Sequence, residues 1–180
     1  MTLSNETSYR RLTEIKTSMS IEAQQYKLIK KEANFEIRSY DEMVVARTSV
    51  NSDYKESTLT GFRRIAGYIF GDNDKEMKIS MTAPVISDCP SSNEKPYEIL
   101  FVMPKEHSLE DLPKANTGLI SIEKESLGEV AVLVFGGWAT ETRSFNYQKK
   151  LLAFINKQSL KYKGSFMIAQ YNSPWALPPL

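Results

Sequence analysis

The chain has one cysteine and one histidine in 180 residues. The single Cys89 excludes an intrachain disulfide, so the fold needs no oxidising compartment, although it would survive in one. It precedes Pro90 in a Ser/Asn/Pro-rich loop and reads plainly as an incidental loop thiol. The same counts exclude a Cys/His zinc cluster. His107 lies in the polar run Pro104-Lys105-Glu106-His107-Ser108, where an exposed loop imidazole is the simplest reading. Neither Glu106 nor Ser108 beside it implies a nucleophile–base pair. There is no G-x-S-x-G, no P-loop and no G-x-G-x-x-G. Charge excess is also missing: 23 Lys and Arg against 22 Asp and Glu leave a net charge of +1. That balance predicts no nucleic-acid partner and no electrostatic docking on anionic membranes. No run approaches the ~18 apolar residues of a membrane span. No apolar stretch of signal-peptide length follows Arg10, Arg11 and Lys16. The expected compartment is the cytoplasm, although a signal already removed would leave the same sequence.

What is present is a set of short alternating and helical patterns. Residues 1–25 are polar and of mixed charge and read as a lead-in, with the domain running from 26 to 180. Phe35 to Tyr40 alternates as a strand, Asp41-Glu42 makes a turn, and Met43 to Val50 returns as a second strand rich in β-branched residues. A helix is predicted from Tyr54 to Phe70, with Leu59, Phe62, Ile65, Ala66, Ile69 and Phe70 on one face and Gly71 as its stop. Lys78 to Ile86 reads as a strand interrupted by Pro84, and Tyr97 to Met103 as another. Lys105 to Gly118 is a long loop. Leu119–Glu125 and Glu129–Phe135 are predicted to form a hairpin around Leu127-Gly128. A second helix is predicted from Glu141 to Lys157, with Phe145, Leu151, Leu152 and Ile155 in one arc and Tyr147 and Phe154 at its edge. A last strand runs from Lys161 to Gln170, before a proline-rich tail. This order, strand–strand–helix–strand–strand and then much of it again, predicts an α+β fold of two similar units with both helices on one curved antiparallel sheet.

Chemistry-bearing residues are sparse. Gly136-Gly137 precedes the second helix; it suits an anion contact at a helix start or, more simply, a strand-end turn. Glu36, Glu98 and Glu123 fall on predicted strands, where a cleft carboxylate can do acid–base work, and the sequence does not pair them. Flat and flexible apolar groups are abundant: eight Phe, nine Tyr, two Trp and seven Met. Trp138 and Trp175 lie outside predicted regular elements, Met77 and Met81 flank a strand, and Met103 ends one. Such residues line pockets for planar apolar ligands, although each serves ordinary packing equally well. On the first helix Arg63, Arg64 and Tyr68 lie off the main apolar face. A guanidinium at the edge of an apolar pocket suits a ligand carboxylate; the alternative is a solvated helix face.

Five blocks in order over residues 26–178 carry a resemblance. They are Phe35-Glu36-Ile37-Arg38-Ser39-Tyr40, Gly61 to Gly71, Lys78-Ile79-Ser80-Met81-Thr82-Ala83-Pro84-Val85, Phe101-Val102-Met103-Pro104, and Ala169-Gln170-Tyr171-Asn172-Ser173-Pro174-Trp175. Together they resemble the SOUL haem-binding family, whose Gly-x-Trp turn is matched near Gly136-Gly137-Trp138. The resemblance implies a pseudo-two-fold β-α-β duplication forming a distorted antiparallel β-barrel flanked by two helices. It also implies a carrier or buffer, not an enzyme, that binds haem or other porphyrins non-covalently in an apolar cleft beside the first helix. The expected binding residues are Arg63, Arg64, Tyr68, Met81, Trp138 and Trp175, with no metal or catalytic site. One branch of the family carries a histidine ligand where this chain has Asp41, so ligation there is not expected. Similar folds sense small-molecule effectors, and that reading stays open for another planar amphipathic ligand. A carboxylate-dependent hydrolase is a third possibility.

Overall fold

The structure is a computed structural model and describes residues 21–89 and 96–171. Ten strands and two long helices alternate along it. The strands are β1 (Glu22–Ala23), β2 (Lys27–Glu32), β3 (Phe35–Tyr40), β4 (Met43–Val50), β5 (Thr82–Ala83), β6 (Val85–Cys89), β7 (Tyr97–Val102), β8 (Ser121–Glu125), β9 (Gly128–Leu133) and β10 (Phe166–Gln170). The helices are α1 (Tyr54–Ile69) and α2 (Glu141–Lys157). This is a mixed α+β architecture. No helix among the described residues is long and apolar enough to cross a membrane.

The strands form three sheets, and their partners differ from the sequence expectation. A five-stranded antiparallel sheet runs β10-β6-β7-β4-β8, a three-stranded one runs β2-β3-β9, and β1 pairs with β5 in parallel. The two expected hairpins are therefore corners. After Asp41-Glu42 the chain leaves β3 for the other large sheet, and β8 and β9 pair with β4 and β3 instead of each other. Side-chain chemistry accounts for the second corner. Glu123 and Glu125 of β8 reach Arg47 on β4, as does Glu98 on β7, so one guanidinium ties three strands. Burial opposes the charge of Arg47, but the three carboxylates more than compensate and hold it protonated. β9, by contrast, carries Val130, Ala131, Val132 and Leu133 and pairs along the whole of β3. No ladder among the described residues joins the large sheets into one closed barrel.

Two strands were not anticipated: β2, with every residue exposed, and β1, inside the expected lead-in. A fully exposed, lysine-rich strand has no burial alternation to reveal it. The expected strand from Lys78 begins its ladder only at Thr82, and the last one only at Phe166. Pro84 separates β5 from β6, as its missing N–H requires.

Both helices start at good caps. Asp53 Oδ1 accepts from the Glu56 N–H at 2.9 Å, and Thr140 Oγ1 from the Arg143 N–H at 3.4 Å. α1 lies across β4 and β7, and its buried residues are Tyr54, Ser57, Gly61, Ile65, Ala66, Tyr68 and Ile69. The helix is thus rotated from the expected apolar face. Tyr68 is fully buried, whereas Leu59 and Phe70 are 42% and 59% exposed. Gly61 is the reason. A Cβ there would come within 2.6 Å of the Ile99 side chain, so the helix rests on β7 where it has no side chain. Beneath it lie Ala46, Val50, Ile99, Phe101 and Met103. The opposite face of the same sheet buries Met43, Val45, Ile86, Leu100 and Val102, with Tyr40 and Leu127 packed on them.

α2 covers the outer face of the three-stranded sheet through two ring stacks, Phe35 on Phe154 at 4.3 Å and Phe135 on Tyr147 at 3.9 Å. Only Ser144, Phe154 and Ile155 are buried along its length, and Phe145, expected in its apolar arc, is 52% exposed. On the other face of β3, Glu36 and Arg38 form a buried ion pair at 2.7 Å. The Tyr26 ring stacks on the Arg38 guanidinium at 4.0 Å, and Arg38 also donates to the Tyr40 hydroxyl.

Candidate ligand-binding site

The flanks of α1 differ in chemistry. At about 100° per residue, Phe62, Ala66, Leu59, Phe70 and Arg63 follow one another around one side of the buried arc, and Arg64 falls on the other. The first flank faces β6 and β10. Phe62 packs its ring on Phe101 at 5.4 Å, and Phe101 is in register with Val85 of β6. Met77, Met81, Val85 and Ile168 are half-buried apolar groups packed against the core from the surrounding elements. The Ser87 hydroxyl, in register with Ile168, is buried without a hydrogen-bond partner. Arg63 is exposed at the rim and makes no ion pair or hydrogen bond among the described residues.

Arg64 is already engaged. Its Nη1 donates to the Ser49 carbonyl at 3.0 Å and reaches Thr48 Oγ1 at 3.4 Å, which fastens α1 to β4. Tyr68 is a core residue whose hydroxyl donates to the Pro113 carbonyl at 2.9 Å. Burial, with Asp74 adding a little, pushes its phenol up to about 12, so it stays neutral. Trp138 is half-buried beside Ala139, whose carbonyl accepts from the Tyr54 hydroxyl at 2.9 Å. The backbone next to Trp138 is thereby tied to Tyr54, the first residue of α1. Trp175 lies outside the described residues. Of the six expected residues, Arg63 falls on the apolar flank, Arg64 on the opposite flank and Tyr68 beneath, while Met81 packs against the core and Trp138 is half-buried in the β9–α2 connection. Leu59 and Phe70, read in the sequence as core, are the residues that make the flank. Periodicity alone could not separate them from Ile65 and Ile69.

Other expected chemistry is accounted for elsewhere. The Glu36 carboxylate is held below its ordinary value by hydrogen bonds from Lys31 and then Arg38, against a smaller effect of burial. Glu98 and Glu123 are bound to Arg47. Gly136-Gly137 is a strand-end turn: Gly137 has φ +85°, Arg143 packs over it, and Arg143 Nη2 donates to the Gly136 carbonyl at 2.6 Å. The His107 imidazole lies 3.5 Å from Glu106. Asp41 is exposed in the β3–β4 turn, next to Tyr40, which packs on the sheet face away from α1. The α1 flank is an apolar surface edged by Arg63, which makes no ion pair or hydrogen bond among the described residues.

The strands and helices together define a small α+β protein. The chain matches the SOUL heme-binding protein family over residues 21–180 and belongs to that family. It is 34% identical over 155 residues to heme-binding protein 2 of Mus musculus, covering 80% of this chain and 73% of the relative. It is 32% identical over 147 residues to heme-binding protein 2 of Homo sapiens, covering 78% and 71%. Heme-binding protein 1 of Xenopus laevis is 27% identical over 145 residues, covering 78% and 76%. Among solved structures, one described as a hydrolase from Listeria innocua superposes with a TM-score of 0.57 over 87% of this chain and 89% of its own. At 11% identity that likeness concerns the fold alone.

Proposed function

We propose that this chain is a cytoplasmic, non-catalytic carrier or buffer that binds haem or a related tetrapyrrole non-covalently on the β6-facing flank of α1. The observation that carries this reading is the unpaired Arg63 at the edge of Leu59, Phe62, Ala66 and Phe70, in a chain whose family and relatives are described as heme-binding. Apolar rings and thioethers hold the flat macrocycle by burying its faces. Arg63 takes a propionate, and Trp138 bounds the cleft at the start of α1. Tyr68 and Arg64 serve by fixing the helix, the one through Pro113 and the other through β4. When bound, haem supplies an iron whose electronics depend on its axial ligand. Hydrolysis has no comparable support, since Glu36, Glu98 and Glu123 are each tied to an arginine, the reverse of a carboxyl poised to donate a proton.

The ladder pattern supports the duplicated plan implied by the family. Strands β3 and β4 of the first half exchange partners with β8 and β9 of the second, and β6 pairs with its counterpart β10. A closed, distorted barrel is the corresponding proposal for the whole domain.

Haem titration followed at the Soret band tests the function. Arg63→Ala should weaken binding by roughly tenfold or more, the scale of one charge-assisted hydrogen bond. Arg64→Ala should act mainly on stability, and His107→Ala should leave the spectrum unchanged. Equal haem affinity in the parent and Arg63→Ala would remove the α1 flank as the site. Absence of any Soret shift in the parent, with thermal stabilisation by another planar acid, would favour an effector sensor.

A further inference from the structure

A groove of about 360 Å³ lies between α2 and the turn joining β2 to β3, lined by Glu32, Ala33, Phe35, Lys150, Ala153, Phe154 and Lys157. We propose that it is a second ligand site, distinct from the α1 flank and independent of the haem reading, and that its occupant is a small amphipathic acid with an aromatic body. The volume falls within the range of small-molecule pockets. Lys150, Ala153, Phe154 and Lys157 stand at i, i+3, i+4 and i+7, so they form one stripe of the helix. The stacked Phe35 and Phe154 rings make the apolar floor, at 4.3 Å and an interplanar angle of 8°. Ala33 and Ala153 leave the space above it open.

Charge around the floor is cationic in excess, two lysines against one glutamate. Lys157 makes no ion pair or hydrogen bond among the described residues, and Lys150 rests on the Tyr147 ring at 4.9 Å without a carboxylate partner. The one acidic group in the lining, Glu32, accepts from Gln158 Nε2 at 3.1 Å, while Lys30 donates to Gln158 Oε1 at 2.9 Å. Those two bonds tie the β2–β3 turn to the end of α2 and so hold the groove's two walls together. An apolar floor edged by two ammonium groups and one carboxylate that is already bonded to Gln158 keeps a cationic excess, which complements an apolar body carrying an anionic head.

Anilinonaphthalene sulfonate, a flat aromatic with one anionic group, serves as the probe, titrated into the full chain and followed by amide chemical shifts. Shifts are expected at Ala33, Ala153 and Lys157. The double variant Lys150→Glu/Lys157→Glu should weaken these shifts by about tenfold in affinity. Ala153→Trp, which fills the groove from an exposed helix position, should abolish them, and Arg63→Glu should leave them intact. The uncharged phenylnaphthylamine should bind at least several-fold more weakly. Probe shifts confined to α1 and β6, shifts at the groove that survive both groove variants, or a change of oligomeric state on mutating the groove would each overturn the proposal. Loss of haem binding in Arg63→Ala has no bearing on these shifts, so the two readings fail separately.

Discussion

The two helix layers of this molecule are held by different physics. Under α1 the contact is apolar and close: Gly61 lets the helix backbone onto β7, and Ile65, Tyr68 and Ile69 fill the space beside it. Under α2 the contact is two ring stacks on a three-stranded sheet whose other face carries the buried Glu36–Arg38 pair. A well-filled interface defines the position of its helix sharply. One built from a few rings and ions leaves grooves beside it, and the lysine-rimmed groove lies in that layer. One helix layer is closely filled and the other presents a more open face.

The largest expected effect is in the ionic layer. Arg38→Ala leaves the buried Glu36 carboxylate with the exposed Lys31 ammonium as its remaining charge partner, and chemical denaturation should show a loss of about 3 kcal/mol. A loss below 1 kcal/mol would mean that water reaches the pair. Acid probes the same pair. The carboxyl of Glu36 is lowered from its ordinary value of 4.5, so it contributes stability that is complete above that value and lost as pH falls through the depressed one. As the pH falls below 4.5, amide exchange at β2, β3 and β9 should therefore accelerate before exchange at β4 and β7 does. Simultaneous loosening of both sheets would erase the distinction.

In the apolar layer, Gly61→Val should cost about 1–3 kcal/mol by overpacking against Ile99. Ala153→Val, on the exposed stripe of α2, should stay within about 0.5 kcal/mol. A thermal melt of the two variants gives the comparison directly, and equal costs would refute the claim that the helices are packed differently. The smallest expected difference is at the caps. Asp53→Ala should cost about 1 kcal/mol, and Thr140→Ala less, because its 3.4 Å contact is near the limit of a hydrogen bond.

Much of the fold was legible because its cues are local. Apolar spacing and flanking residues located α2 at Glu141–Lys157 and α1 to within one residue of its end. Alternation located β3 and β4. Missed strands were those with no burial pattern, β2 above all. The candidate site was legible only in part. Arg63 and Arg64 are adjacent in sequence and alike in chemistry, yet Arg64 is bound to Ser49 and Thr48 while Arg63 makes no ion pair or hydrogen bond among the described residues. That difference depends on how α1 is turned over β4 and β7.

The sequence by itself determined where the helices begin and end, where the corners fall and which family the blocks belong to, because caps, turns and periodicity act over a few residues. Only the tertiary structure decided which strands pair, which face of α1 is buried and which charges remain free. Those outcomes rest on contacts between distant segments: Gly61 against Ile99, Arg47 among Glu98, Glu123 and Glu125, and Lys30 with Glu32 at Gln158. No residue's immediate neighbours carry that information, since each contact forms only when the chain closes loops of tens of residues around it.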